Sequence, residues 1–145
     1  MPYLDRMQPL ALLVLRIVLG AIFIGHGYHK VNGHLQEFAG HVASMHIPAW
    51  LGYVAAFTEF VGGMLIILGL FTRVVAVGLL IDMMVAIAKV HWPHGLMGTG
   101  GYEFPLSLAA IAFSLIFFGA GPIALDSVSG GRSAGRFPRG RGKAK

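Results

Sequence analysis

Four long apolar runs dominate the chain, and shorter polar connections separate them. The runs cover residues 10–28, 51–71, 74–90 and 105–123. Each run is long enough to cross about 30 Å of hydrocarbon as an α-helix, with or without tilt. No small-residue cleavage site follows the first run, which therefore differs from a removable signal peptide. The pattern predicts an all-α membrane protein, built as a four-transmembrane-helix bundle.

The connections between the runs differ in length and composition. Thr72 and Arg73 predict a tight turn between the second and third runs. Residues 29–50 are numerous and polar enough to hold a short surface helix, whereas the connection before the fourth run is rich in Gly, Pro and aromatic residues. We therefore predict a four-helix transmembrane domain over residues 1–125 and a basic, disordered C-terminal tail over residues 126–145.

Each run carries a stripe of small or polar residues at helical spacing. Small residues let helix backbones approach closely in lipid, where no hydrophobic force drives helix association. The stripes are therefore expected to meet inside the bundle. Their positions are Arg16, Gly20, Phe23, Gly27 and Lys30; Ala55, Glu59, Gly62, Gly63 and Ile66; Gly78, Asp82, Ala86 and Lys89; and Ser107, Ala110, Ser114 and Phe118.

The charged residues within the runs have formal charges that cancel. They are Arg16, Glu59, Asp82 and Lys89. A charge at the bilayer centre costs at least ~2.5–3.5 kcal/mol, so unpaired placement is unfavourable. We expect Arg16 to pair with Glu59, Asp82 or both, and Lys89 to lean toward Glu103 or the histidines. Two interpretations stay open: these charges only lock the helices together, or they line a polar cavity or proton path.

Composition agrees with a membrane protein and narrows its chemistry. The chain is 56% hydrophobic and 12% charged, too apolar for a soluble domain of 145 residues. It has no cysteine, which excludes disulfides, iron–sulfur clusters and thiolate zinc sites.

Six of the eleven Lys and Arg residues follow residue 131, which predicts that both termini are cytoplasmic. The basic tail is expected either to bind anionic lipid or only to set the topology. We expect the bilayer, and no nucleic acid, as partner.

All seven histidines lie toward the predicted outer side. His91, Tyr102 and Glu103 lie near the start of the fourth run, and His26 ends the first run on the same side. Such groups suit proton transfer, and they also suit a quinone headgroup, whose carbonyls need hydrogen-bond donors. Metal binding is the weaker alternative because the spacing in "HWPH" does not fit a helix-borne ligand pair. We predict no metal site.

Three stretches taken in order resemble the DoxX family of small bacterial four-helix membrane proteins. They are "LRIVLGAIFIGHGYHKV", "FTEFVGGMLIILGLFTR" and "KVHWPHG…GGYEFPL", and the likeness covers residues 12–125. It implies a multi-pass protein of the bacterial cytoplasmic membrane. It also implies a link to a thiosulfate:quinone oxidoreductase subunit and to membrane oxidoreductase complexes that resist oxidative stress. The family is functionally diverse, and similarity of fold does not carry function.

The sequence and the resemblance together lead to one functional hypothesis. The chain is expected to be a quinone-interacting membrane subunit of a redox complex, without a redox centre of its own, that receives electrons from a soluble partner protein. Alternatives are a non-enzymatic binder or transporter of a lipid or metabolite, and a scaffold subunit. Self-association into a homo-oligomer is a further expectation. The expected catalytic residues are Glu59, His91 and Glu103, and the expected substrate-binding residues are Arg16, His26, Lys30, Asp82, Lys89 and Tyr102.

Overall fold

The computed structural model describes residues 6–129, which contain helices and no strand. The helix Thr72–Ala86 continues through a π-helical turn, Ile87–His91, and a short 3₁₀ turn, Trp92–His94. The helices are α1 (Gln8–Val31), α2 (Leu35–Ser44), α3 (Ala49–Leu68), α4 (Thr72–Ala86), α5 (Glu103–Phe118) and α6 (Leu125–Ser129).

The predicted all-α four-helix membrane bundle is confirmed. Helices α1, α3 and α4 with its extension are 24, 20 and 23 residues long and apolar enough to cross a membrane. The fourth helix, α5, is shorter than predicted, with 16 residues and a length of about 24 Å. It ends because Gly119 has a φ of 72°, a left-handed conformation that does not continue a helix. The expected surface helix in the first connection is α2.

The four long helices form a ring in which α1 contacts α3, α3 contacts α4, α4 contacts α5, and α5 returns to α1. The α1–α3 contact is the most extensive, and the α5–α1 contact is slight. A core of Leu19, Phe23, Ile66, Leu79 and Leu115 fills the ring. The bundle is therefore tightly closed on three sides and open on the fourth, between α1 and α5.

Glycines bring α1 and α3 into backbone contact. A methyl group on Gly63 would stand 2.8 Å from the carbonyl oxygen of Gly20, closer than real side chains come. A methyl group on Gly27 would collide with the backbone of Phe60. The predicted stripes of α1 and α3 therefore meet in the interior, and their glycines let the two antiparallel backbones touch.

The predicted stripe of α5 is wrong, and that of α4 is only partly buried. On α4 Gly78, Asp82 and Ala86 are half-buried, and Lys89 is exposed. On α5 Ser107, Ala110 and Phe118 are exposed, and Leu108, Ala112 and Leu115 are among the buried residues instead. Ser107 and Ser114 donate hydrogen bonds to carbonyls four residues earlier in their own helix, so their hydroxyls are satisfied without a neighbouring helix.

The expected pairing of Arg16 with Glu59 or Asp82 is also wrong. The Arg16 side chain is 1% exposed and lies at the end of the bundle that holds the α3–α4 turn, which we call the turn end. Its guanidinium donates to the carbonyls of Ile66 and Ile67, which end α3, and of Ala120 and Ile123, which follow α5, at 2.6–2.9 Å. Since α1 and α3 are antiparallel, Arg16 lies about 10 Å along α3 from Glu59.

Arg16 thereby joins two carbonyls in the last turn of α3 to two carbonyls in the segment that follows α5. Gly69, which ends α3 with a φ of 68°, leaves room for this guanidinium: a methyl group there would stand 2.6 Å from Arg16 Nη2. The residue that predicts a buried ion pair in the sequence therefore caps the C-terminal end of α3 and binds the segment after α5.

The chain after α5 folds back onto the turn end through Asp126. Its carboxylate accepts hydrogen bonds from the backbone N–H groups of Phe71 (2.8 Å) and Thr72 (3.0 Å), which begin α4, and its own N–H donates to the carbonyl of Gly69. The predicted tail boundary at residue 126 therefore falls within folded chain, since α6 extends to Ser129. The rest of the predicted tail, residues 130–145, lies outside the described residues.

A bulky residue at Gly27 is expected to break the α1–α3 contact. Gly27→Leu should cost about 1–3 kcal/mol or prevent folding, because its side chain collides with the α3 backbone. Gly25→Leu on the same helix is the matched control, since nothing lies within 4 Å of its added carbon. Thermal unfolding in detergent, followed by tryptophan fluorescence, measures both. Equal unfolding temperatures for the two variants would contradict this account of the interface.

Asp126 is expected to make stability depend on pH. Partial burial acts to raise the pKa of Asp126, but the hydrogen bonds from Thr72 and Phe71 and the charge of Arg16 outweigh it and lower that pKa. The stabilisation is therefore complete above the ordinary aspartate pKa and is lost as the pH falls through the lowered value in the folded protein.

Asp126→Asn removes the charge and one of the two acceptor oxygens, so it should cost about 0.5–1.5 kcal/mol at neutral pH, the usual contribution of one hydrogen bond. The difference in unfolding temperature between wild type and variant should shrink in acid. A difference that stays constant down to pH 3 would show that the charge of Asp126 does not contribute.

Candidate functional site

The opposite end of the bundle, which carries α2 and residues 92–102 and which we call the loop end, holds a buried ion pair. Lys30, at the end of α1, donates from Nζ to Glu59 Oε1 on α3 at 2.5 Å. The Glu59 side chain is 4% exposed and that of Lys30 is 22% exposed. The Lys30 ammonium also lies 4.3 Å from the centre of the Phe38 ring on α2. The contact at Gly27 sets this pairing, because it places the next turn of α1 beside Glu59.

Asp82 on α4 completes a three-residue cluster. Its carboxyl lies within hydrogen-bonding reach of the Glu59 carboxyl, and Lys30 is the other charge acting on it. Glu59 Oε2 and Asp82 Oδ2 are both buried, and neither has a hydrogen-bond partner while both carboxyls are ionised. Lys30, Glu59 and Asp82, from three different helices, therefore form what we call the charged cluster.

An open groove lies next to the charged cluster, between α1 and α5, where the ring of helices is least tightly closed. It has a volume of about 500 Å³. Ala21, Ile22 and Gly25 of α1 line it together with Phe104 of α5, which gives it apolar walls. The polar residues that line it are His26, His29 and Lys30. We call it the α1–α5 groove.

Lys30 belongs to both the groove and the charged cluster. Its side chain therefore connects the membrane-facing groove to the buried carboxyls. The imidazole of His26 lies on the same wall, with its ring centre 6.2 Å from that of Phe104. Two imidazoles and an ammonium can donate hydrogen bonds to an acceptor, while the apolar walls can hold a hydrocarbon chain. The groove thus suits an amphipathic ligand with oxygen acceptors at one end.

The remaining predicted site residues lie apart from this groove. The ring Nδ1 of His91 is 2.7 Å from the carbonyl oxygen of Gly100, a contact within the loop. Tyr102 stacks on Trp92, with ring centres 5.6 Å apart. Lys89 and Glu103 are exposed. Of the nine predicted site residues, the structure therefore brings together Glu59, Asp82 and Lys30, with His26 beside them.

Two expectations about these residues are corrected. Within residues 6–129 the ion pair that forms is Lys30 with Glu59, so Lys89 pairs with neither Glu103 nor another acid. Arg16 lies at the turn end, where it caps carbonyls. Glu59 takes Lys30 as its partner because the two lie at the same depth, whereas helical spacing alone ranks Arg16 and Lys30 equally on their shared stripe.

Sequence reasoning missed two contributors. Gly25 lines the groove, and Asp126 caps α4. Gly25 lies outside the buried stripe of α1, on the helix face that lines the groove. A glycine at that position is the one sequence signal that this face leaves space for a ligand. Nothing local predicts the role of Asp126, because its partners lie more than fifty residues earlier in the chain.

A second groove, of about 630 Å³, lies between α3 and α4. Residues such as Phe57, Leu65 and Val74 line it, and none of its lining residues is charged. Across residues 6–129, no three His, Asp or Glu side chains converge in a way that could hold a metal ion. The α1–α5 groove with its charged cluster is therefore the site with the richest chemistry.

Comparisons with known proteins place the chain in a family. The sequence model of the DoxX family matches residues 11–92. A Bacillus subtilis protein named "Putative oxidoreductase CatD" is 33% identical over 114 residues, which cover 79% of this chain and 83% of that relative. An uncharacterized Haemophilus influenzae protein is 36% identical over 132 residues, 86% of this chain and 94% of the relative.

An uncharacterized membrane protein of Mycobacterium tuberculosis is 31% identical over 131 residues, 81% of this chain and 80% of the relative. No solved structure matches the chain. The family match covers more than half of the sequence, and the relatives cover most of it. The chain therefore belongs to the DoxX family.

Proposed function

We propose that this protein is a quinone-interacting membrane subunit of a redox complex. The observation that carries the proposal is the α1–α5 groove, which is open at the side of the bundle and presents His26, His29 and Lys30 at its polar positions. A membrane quinone has a long apolar tail and a headgroup with two carbonyl oxygens. The tail matches the apolar walls of the groove, and the carbonyls match its hydrogen-bond donors.

The charged cluster supports the same assignment. Reduction of a quinone to a quinol takes up two electrons and two protons, so a quinone site needs protonatable groups nearby. Lys30 lies in the groove and bonds to Glu59, which faces Asp82. The chain has no cysteine to hold an iron–sulfur cluster. A soluble partner protein therefore supplies the electrons in this proposal.

The name of the Bacillus subtilis relative supports an oxidoreductase role. We place the protein in the bacterial cytoplasmic membrane with both termini in the cytoplasm, because the basic residues concentrate after residue 131. The α1–α5 groove then opens in the outer half of the bilayer. Homo-oligomer formation and contact between the basic tail and anionic lipid stay predictions.

A second candidate is a non-enzymatic lipid binder or transporter. The uncharged α3–α4 groove favours it, because its apolar lining can hold an acyl chain and offers little to a polar headgroup. The two candidates differ in which groove is occupied and by what.

Filling the α1–α5 groove is expected to remove bound quinone. Gly25→Phe places a ring in this groove, where nothing lies within 4 Å of the added carbon, so folding should persist. Quinone retained in native lipid nanodiscs, measured by mass spectrometry per mole of protein, should fall about tenfold or more, a loss of ~1.4 kcal/mol or greater in binding.

The matched control is Gly40→Phe on α2, an exposed glycine that also has free space around it. It should retain quinone at the wild-type level. The proposal would be contradicted if nanodiscs with the wild-type protein contained no more quinone than the bulk lipid. Enrichment of another lipid, lost when the α3–α4 groove is filled, would favour the binder.

Removal of one donor should weaken binding less than filling the groove. His26→Ala is expected to lower quinone retention about threefold to tenfold, since one hydrogen bond contributes about 0.5–1.5 kcal/mol. His41→Ala on the exposed face of α2 is the matched control and should change nothing. Equal retention by the two variants would show that His26 does not contact the headgroup.

A further inference from the structure

The charged cluster has two acids and one base. Glu59 from α3 and Asp82 from α4 face each other, and Lys30 from α1 bonds to Glu59. With all three groups ionised, the cluster would carry one net negative charge inside the membrane. Uncompensated charge there is unfavourable, and two neighbouring carboxylates repel each other. One bound proton removes both problems.

We propose that Glu59 and Asp82 share a single proton, which makes this carboxyl pair a proton-binding site within the membrane. The site goes beyond the proposed quinone function and needs no ligand. With the proton bound, the cluster holds one ammonium, one carboxylate and one neutral carboxyl. Its net charge is then zero.

The hydrogen-bond geometry supports this proton. Glu59 is 3% exposed, and its Oε2 has no partner, while Oε1 is taken by Lys30. Asp82 Oδ2 is also buried and without a partner. Because the two carboxyls are within hydrogen-bonding reach, a proton on either one donates to the other. One proton thus compensates two buried oxygens, each of which would otherwise carry an uncompensated desolvation cost.

Other titratable groups do not replace this proton. From α1, Lys30 reaches the carboxyls, while His26 and His29 are exposed in the groove. From α2, the ring of Phe38 covers Lys30, and Glu37 and His41 are exposed. On α4 and its extension Lys89 is exposed, and on α5 the acid Glu103 is exposed.

Lys30 also links the pair to the groove. The stored proton therefore lies one side chain away from the space where a ligand would bind. The pair is positioned to donate a proton toward that space through Lys30.

Infrared spectroscopy of the full-length protein in lipid tests the proposal, because a protonated carboxyl has its own C=O stretch, which shifts in D₂O. The wild type should show one such group at neutral pH. Glu59→Gln should abolish the band, since Asp82 then ionises beside Lys30. Asp82→Asn should abolish it as well, since Glu59 then pairs fully with Lys30.

Two further variants complete the test. Lys30→Met should keep or strengthen the band, because the ammonium no longer compensates the negative charge of the two carboxyls and protonation becomes more favourable. Glu103→Gln, which changes an exposed acid outside the cluster, should leave the band unchanged. If one carboxyl variant fails to insert into the membrane, the other variant and Lys30→Met together still test whether the two carboxyls share a proton.

A wild type without the band at neutral pH, or a band that survives both carboxyl substitutions, would overturn the proposal. The measurement contains no quinone. The absence of quinone in the nanodisc experiment would therefore contradict only the proposed quinone function. The absence of the infrared band would contradict only the shared proton.

Discussion

The architecture depends on how one buried arginine is satisfied. A guanidinium inside a membrane protein needs acceptors, since lipid offers none. Arg16 finds four carbonyl oxygens, two in the last turn of α3 and two in the segment after α5. The guanidinium in turn supplies hydrogen-bond donors to carbonyls at a helix end and in a non-helical segment. The contact fixes the depth of α1 against α3 and ties the segment after α5 to the turn end.

The two ends of the bundle treat charge differently. At the turn end, Arg16 meets backbone dipoles, and Asp126 meets the N–H groups that begin α4. Those partners cannot gain or lose protons, so that end acts as a fixed support. At the loop end, Lys30 meets ionisable carboxyls, each of which keeps an unpartnered oxygen. Charges with titratable partners, next to an open groove, are suited to chemistry rather than to fastening helices.

The structure buries the predicted stripes of α1 and α3, only half-buries most of the predicted stripe of α4, and exposes most of the predicted stripe of α5. Glycines mark the buried faces of α1 and α3 because only glycine permits that backbone contact. Small residues on α5 carry no such meaning, since Ser107 and Ser114 satisfy their hydroxyls within the helix and can face lipid. On α4 and α5 alanines such as Ala76 and Ala112 share the core with larger apolar residues such as Leu79 and Leu115, and hydropathy cannot separate these from the apolar residues that face outward.

The sequence by itself determined the membrane location, the number of helices, the family and the residues that carry charge in apolar surroundings. Hydropathy and spacing suffice for this, because the cost of exposing polar backbone to lipid leaves only helices or barrels. The tertiary structure decided which charges meet. Arg16 and Lys30 share one face of α1, and only the antiparallel register against α3 gives Glu59 to Lys30 and leaves backbone carbonyls to Arg16. Depth in the bundle is a relation between helices, and the spacing within one helix does not contain it.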